Sequence, residues 1–428
     1  MLEKNNPKLI NAWCSFDWAN SVYNLIITTA IFPIYYLAST EEFFGGDVVR
    51  FFSIEISNSV LYSYGISCSF LFIVCVSPIL SGVADYSGSK TKFMKFFTYF
   101  GAISCIGLSF FNGGNIEYGI LCAIFGSIGF AGSLVFYNSF LPEIVTKDKM
   151  DMVSAKGFSM GYIGSVILLL IILLLFENFE YFGFSTSIMA TRFGFVLVGV
   201  WWIGFAQIAF YYLKNKKTVT YDSSLIFRKG LKQIISVFKT VRSLEGLNYY
   251  LVSFFIFSMG VQTVMLLAPL FANKVIGMES DEMILIVLLI QIIAIGGSYF
   301  FSWLSNLRGN EIAISLALLV WATICISGYF LESKVSFYVL ATFLGFVMGG
   351  IQSISRSTYS KLIPKETSDN ASFFSFYDIT EKLGIVIGTF SYGFIDHLTG
   401  DMRISMLFLT LFFVLGLFFL KKAKLNTM

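Results

Sequence analysis

The sequence predicts an all-α membrane protein with twelve transmembrane helices arranged as two halves of six. Three observations predict it. The 428 residues are 56% hydrophobic and only 13% charged, with a mean hydropathy of +0.77. A soluble chain of this length needs polar surface to cover its core, so one this apolar must be covered by lipid. Second, the apolar residues collect in twelve runs, each close to the ~20 residues that cross ~30 Å of hydrocarbon. Third, the cations sort to one side of those runs.

The runs lie at 18–38, 59–82, 95–112, 115–141, 155–176 and 193–213, then at 249–272, 283–305, 310–331, 335–360, 372–395 and 402–420. Span 1 reads as a retained helix, since no small-residue cleavage site follows its apolar stretch. Spans 3 and 4, and spans 9 and 10, are joined too tightly to be anything but antiparallel hairpins. Lys and Arg beside span ends stay cytoplasmic. With the N-terminus inside, only Arg50, Arg192, Lys274, Lys334 and Arg403 of the 29 Lys and Arg fall outside, while the 26 acids divide evenly. One span more or fewer would invert every later loop and destroy that asymmetry. Both termini are therefore expected in the cytoplasm. The longest inner loop, 214–248, holds Lys214, Lys216, Lys217, Arg228, Lys229, Lys232, Lys239 and Arg242, and divides a first half (1–213) from a second (249–428).

Several function classes drop out. A net charge of +3 is too small for a nucleic-acid binder. The six cysteines form no CxxC pair, and His397 is the single histidine, so neither a metal centre nor a cofactor is expected. There is no GxxxxGK[ST] loop for ATP, no filter motif for a channel, and no HExxH or other catalytic constellation. The chain reads as a non-enzyme.

Loop 2–3, Ser81-Gly-Val-Ala-Asp-Tyr-Ser-Gly-Ser-Lys90, resembles the signature loop of the major facilitator superfamily. Asp85, Gly88 and Lys90 match it, with Ser81 where glycine is usual and Ser89 where a base is usual. More specific are Phe16-Asp-Trp-Ala-Asn-Ser21, Phe136-Tyr-Asn-Ser-Phe-Leu-Pro-Glu143, Gly157-Phe-Ser-Met-Gly-Tyr-Ile-Gly164, Gly349-Gly-Ile-Gln-Ser-Ile-Ser-Arg-Ser357, Phe373-Phe-Ser-Phe-Tyr377 and Leu398-Thr-Gly-Asp-Met-Arg403. These resemble the branch of that superfamily containing the fungal vacuolar amino-acid effluxer linked to autophagy and its bacterial relatives. The resemblance implies a major facilitator fold in two six-helix bundles, alternating access, and amino acids as substrates. The expected activity is secondary transport of a small solute, outward and coupled to protons, by a monomer in the bacterial cytoplasmic (inner) membrane. A lipid translocase or a non-transporting receptor on the same fold is the other reading. The loop acid Asp85, with Gly88, Lys90 and Glu143, is expected to act in conformational change.

Intramembrane ionisable groups default to function. Asp378, Glu381 and Lys382 lie together on one side of span 11 by helical spacing, with Glu381 on the order of 10 Å deep. They either bind a zwitterion or a proton, or form a local ion pair with Lys382 reaching for the interface. Arg356 near the end of span 10 either clamps a substrate carboxylate or closes a gate by pairing with Asp378 or Glu381. Asp17, Asn20 and Asn24 make a polar stripe on span 1. Asp17 either caps the helix or accepts a proton, and Asn24 lines a cavity. Gln262 and Gln291, mid-span, face a cavity or a neighbouring helix. Gly157, Gly161 and Gly164 on span 5, like Gly384 and Gly388 on span 11, read as surfaces for close packing.

Overall fold

The computed structural model describes residues 3–214, 223–365 and 367–425; Lys216 and Lys217 of the basic linker lie outside them. Fifteen α-helices are described. In the first half they are α1 (Pro7–Val22), α2 (Phe32–Phe44), α3 (Asn58–Ser87), α4 (Lys90–Leu108), α5 (Ile116–Asn138), α6 (Leu141–Ile144), α7 (Met150–Glu177) and α8 (Ser187–Tyr212). Helix α9 (Ser223–Ser243) follows in the linker. The second half holds α10 (Glu245–Ile276), α11 (Ser280–Arg308), α12 (Asn310–Tyr329), α13 (Lys334–Leu362), α14 (Asn370–Thr399) and α15 (Met402–Lys422).

Local chemistry explains most boundaries. Asn6 caps α1, its side chain accepting from the Lys8 amide at 2.9 Å, and Pro7 occupies the first turn, where its missing N–H does no harm. Helix α1 thus begins eleven residues before the expected start of span 1, which places Asp17 in its interior rather than at a cap. Ser15 and Asp17 there are buried against protein while Lys8 and Asn11 are exposed, so polarity did not end the helix. From Tyr23 to Ala30 the backbone widens into a π-helix, and beyond Ile31 it bends by 40° into α2. Pro33, which donates no backbone hydrogen bond, opens the second segment. Gly88 ends α3 with φ at 64°, a left-handed conformation that a side chain would strain.

Among the described residues nine single helices are long and apolar enough to cross a membrane, and the bent run Pro7–Ala30 plus Phe32–Phe44 makes a tenth. The expected twelve is not reached on length and apolarity alone. Helix α4 opens with Lys90, Lys92 and Lys95, and α14 carries Asp378, Glu381 and Lys382, so both are helical where expected but interrupted by charge. A further departure from all-helix is a small antiparallel hairpin, Val48–Phe51 against Ile54–Ser57, turning at Phe52 and Ser53 with positive φ. It is too short to leave a periodic signal.

Buried apolar side chains gather into two clusters. One runs from Leu9 to Leu213 with Val287 and Ala371 added; the other runs from Val237 to Ala423 with Tyr162 added. The halves meet where α3 packs on α14 and where α7 packs on α11 and α13. Outside, Leu174, Val200, Leu285, Leu319, Val339 and Phe390 are exposed, a density of apolar surface that suits lipid and not water.

One end of the molecule gathers the start of α1 and the start of α10. The Asn5 amide donates to the Ile144 carbonyl at 2.7 Å, setting the start of α1 beside the end of α6. Tyr250 and Ser253 at the start of α10 donate to the carbonyls of Ser355 (2.9 Å) on α13 and Gly416 (2.7 Å) on α15. We refer to this end as the terminal face.

Candidate functional site

Arg356 is 2% exposed and sits at the contact between the halves. Its two terminal nitrogens donate to Asp17 Oδ2 at 3.1 and 3.0 Å. Its remaining donors reach Ser154 Oγ and the Ser154 carbonyl, each at 3.0 Å, and Asn138 Oδ1 at 3.3 Å. Tyr137 donates its hydroxyl to Asp17 Oδ2 at 2.7 Å. The guanidinium is held between rings, 4.0 Å from the centroid of Phe158 and 4.6 Å from that of Trp13. A buried charge survives only when paired and hydrogen-bonded, and here helices α1, α5, α7 and α13 together supply the pairing. Arg356 therefore takes its carboxylate from the opposite half, not from Asp378 or Glu381 on the next hairpin.

Helix α14 keeps its own charges together. Lys382 lies 3.0 Å from Glu381 Oε2 and 3.7 Å from Asp378 Oδ1, and Gln262 on α10 donates to Glu381 Oε1 at 3.0 Å. Phe70 of α3 faces the ammonium at 5.7 Å. Asp378 is buried behind this group.

Between the two charged groups is a cavity of about 190 Å³. Its lining includes Asp17, Asn20, Asn24 and Asn138 from the first half and Gln262, Gln291, Gln352, Arg356, Glu381 and Lys382 from the second. The π-helical stretch of span 1 brings Asn24 and Thr28 to the wall, and π turns commonly mark such sites. The side-chain amide nitrogen of Asn20 is buried without a hydrogen-bond partner, a donor that a solute could satisfy. A second space of about 150 Å³ shares Asn24, Phe70, Gln262 and Gln291 with the first and extends toward Pro269, Ala272 and Met283, away from the terminal face.

Toward the terminal face the cavity is sealed. Asp85 accepts from the backbone amides of Ala371 (3.2 Å) and Ser372 (2.7 Å), and so caps the positive end of α14 from the other half. Lys90 pairs with Glu143, which also accepts from Asn370 at 3.0 Å; Gly88 supplies the turn between α3 and α4. Sequence reasoning missed a second set of contacts between the halves. Asp151 in the first turn of α7 accepts from Ser305 (2.8 Å), Asn310 (3.0 Å) and Lys361 (2.5 Å) of the second half. It lay just outside the apolar run of span 5, so nothing marked it as buried. Tyr137, Asn138, Tyr162 and Gln352 were also missed as individuals, although each falls in a branch motif; Tyr162 donates to Gln352 Oε1 at 2.6 Å across the halves. Among the described residues no group of three His, Cys, Asp or Glu could hold a metal ion.

Asp151→Ala leaves Lys361, Asn310 and Ser305 without their shared acceptor. It is expected to weaken the seal by about 1–3 kcal/mol, read as faster hydrogen exchange in the first turns of α7 and the last turns of α11. Unchanged exchange at both places would rule out a locking role.

The model of a family described as "Vacuole effluxer Atg22 like" matches residues 5–426. The chain is 29% identical over 427 residues to the uncharacterized MFS-type transporter YxiO of Bacillus subtilis strain 168, covering 97% of this chain and 94% of that protein. It is 25% identical over 423 residues to autophagy-related protein 22 of Saccharomyces cerevisiae, covering 85% and 77%. Among solved structures it resembles FucP, a major facilitator superfamily transporter in the outward conformation, with a TM-score of 0.69 at 13% identity over 98% of this chain and 99% of that one. A bacterial homologue of the iron transporter ferroportin in the outward-facing state gives 0.67 at 11% identity, over 97% and 98%.

Proposed function

The chain belongs to the Atg22-like vacuole effluxer family, a branch of the major facilitator transporters, and from that premise we propose that it moves an amino acid or similar zwitterion by alternating access. The halves 1–213 and 249–428 act as two six-span bundles, and the terminal face is cytoplasmic. Their rocking breaks the seal at that face while closing the opposite end, so that the central cavity opens to each side in turn. Efflux is the proposed direction.

The observation that carries this reading is the charge set of the cavity. Two acids, Asp17 and Glu381, and two bases, Arg356 and Lys382, line one space of about 190 Å³. The lining is formally neutral, which disfavours a solute with net charge and suits one carrying both signs. A carboxylate can exchange onto a base while an ammonium exchanges onto an acid. The volume fits a small metabolite and is far below the scale of a two-chain lipid, which argues against the translocase reading.

Labelled amino acids screened by counterflow in proteoliposomes test the substrate class. Exchange of at least one is expected; a flat result over all amino acids and short peptides would remove zwitterion transport. With a substrate in hand, Glu381→Gln and Lys382→Gln should each raise KM about tenfold, the loss of roughly 1.4 kcal/mol of ground-state binding. Proton coupling is assigned to Asp17. Protonation would loosen its hold on Arg356 and so free α1 from α13. Asp17→Asn should then lose uptake driven by a pH gradient while retaining counterflow; gradient-driven uptake at the wild-type rate would exclude the assignment.

A further inference from the structure

Helix α9 (Ser223–Ser243) carries Arg228, Lys229, Lys232, Lys239 and Arg242 and not one acid. Its packing fixes which way it faces. Val237 and Val241 are buried, and the helix rests on α3 of the first half and on α10 and α14 of the second. The approach to α3 is so close that a Cβ at Gly82 would lie 2.4 Å from the Gly230 carbonyl oxygen. Lys229 donates to the Tyr86 hydroxyl at 2.6 Å, which pins one edge. Helical spacing then collects Arg228, Lys232, Lys239 and Arg242 on the face turned away from the protein, where all four are exposed. Within that stripe Ile235, and beside it Phe238, are 54% and 50% exposed. Helix α9 touches the last two turns of α3, a helix long and apolar enough to cross a membrane, and a span's end is where the bilayer edge falls. Cations outward, with an apolar flank at bilayer level, is the arrangement of a helix seated in a lipid interface.

We propose that α9 is a docking surface for anionic phospholipid, its four outward cations meeting headgroup phosphates while Ile235 and Phe238 enter the acyl boundary.

Hydrogen exchange on the full chain in nanodiscs tests this. Phosphatidylcholine alone is compared with an equal mixture of phosphatidylcholine and phosphatidylglycerol. The amides of α9 should exchange about tenfold more slowly in the anionic bilayer. Raising salt from about 0.1 to 1 M, which shortens the screening length from ~10 to ~3 Å, should remove the difference. The variant carrying Arg228→Gln, Lys232→Gln, Lys239→Gln and Arg242→Gln should show no lipid dependence, with exchange in α3 and α10 unchanged as evidence of folding. Equal exchange in the two bilayers, or lipid dependence that survives either high salt or the four substitutions, would overturn the proposal. So would inorganic phosphate reproducing the protection in phosphatidylcholine alone, since the ligand would then be a free anion and not a membrane.

Discussion

Arg356→Ala is expected to abolish counterflow and to destabilise the protein by about 3–5 kcal/mol, the range for breaking a buried ion pair from one side. The size follows from what stays behind. Asp17 would keep only the Tyr137 hydroxyl, and Ser154 and Asn138 would lose their donor, with Asp17 and Ser154 both buried. Asp17→Ala should do comparable harm, since it strands the guanidinium. The double variant Asp17→Ala/Arg356→Ala should recover much of the stability and none of the transport, because no unpaired charge remains but the cavity has lost Arg356, the base proposed to take the solute carboxylate. Arg356→Lys should rescue neither. An ammonium offers three donors from one nitrogen, too few for Asp17, the Ser154 hydroxyl, the Ser154 carbonyl and Asn138 together, and it cannot lie flat between Trp13 and Phe158. Thermal unfolding in detergent beside counterflow in proteoliposomes separates the two effects. A stable Arg356→Ala protein would show that the pair is not a buried structural contact.

The polar contacts across the halves form two layers. At the terminal face Asp85 caps α14, Glu143 accepts from Asn370, and Asp151 binds Lys361. Deeper in, Arg356 and Asp17 close the floor of the cavity. Opening this face means losing both layers together, which makes the change a switch between two packings rather than a gradual bend. A solute or proton shifts that equilibrium only through unequal affinity for the two states. The floor pair is a place where a cavity ligand could act directly, since Asp17 and Arg356 both join the halves and line the cavity, as Tyr162 and Gln352 do beside them.

Much of this was legible in the sequence because lipid enforces a simple code. Long apolar runs and sorted cations located the helices, and the rarity of ionisable groups in them singled out Asp17, Arg356, Glu381 and Lys382, all of which line the cavity. Partner choice was not legible. Asp17 and Arg356 are 339 residues apart, and only the packing of α1, α7 and α13 brings them together. Helical spacing favours neighbours on one helix, so it found Asp378 with Lys382 and missed the pairing across the halves. Asp151 escaped for a related reason: an acid just outside an apolar run looks solvated until the end of another helix covers it. The linker read as a basic loop, yet Ser223–Ser243 is helical, because its apolar positions are too few for a span but sufficient for one packed face.

Gly157 shows how packing and function can share one residue. On sequence it belongs to a stripe of small residues with Gly161 and Gly164, but the three face different things. A Cβ at Gly157 would lie 2.4 Å from Asp17 Oδ2, 2.9 Å from Arg356 Nη2 and 3.0 Å from the Trp13 ring. At Gly161 the nearest atom is the Ser21 hydroxyl at 2.4 Å, the far end of a short side chain that can rotate, and the Asp17 carbonyl oxygen is at 3.2 Å. Gly157→Ala should therefore weaken the protein by about 1–3 kcal/mol through overpacking. Gly157→Val, which adds two more carbons to the same clash, should push α7 off α1, part the ion pair and eliminate counterflow. Gly161→Ala should retain it. Counterflow of the three variants at matched reconstitution, with thermal unfolding as the check on folding, reads the difference. If Gly157→Val transported at the wild-type rate, the Asp17–Arg356 contact could not be a required part of the cycle, because no side chain of that size fits beside it.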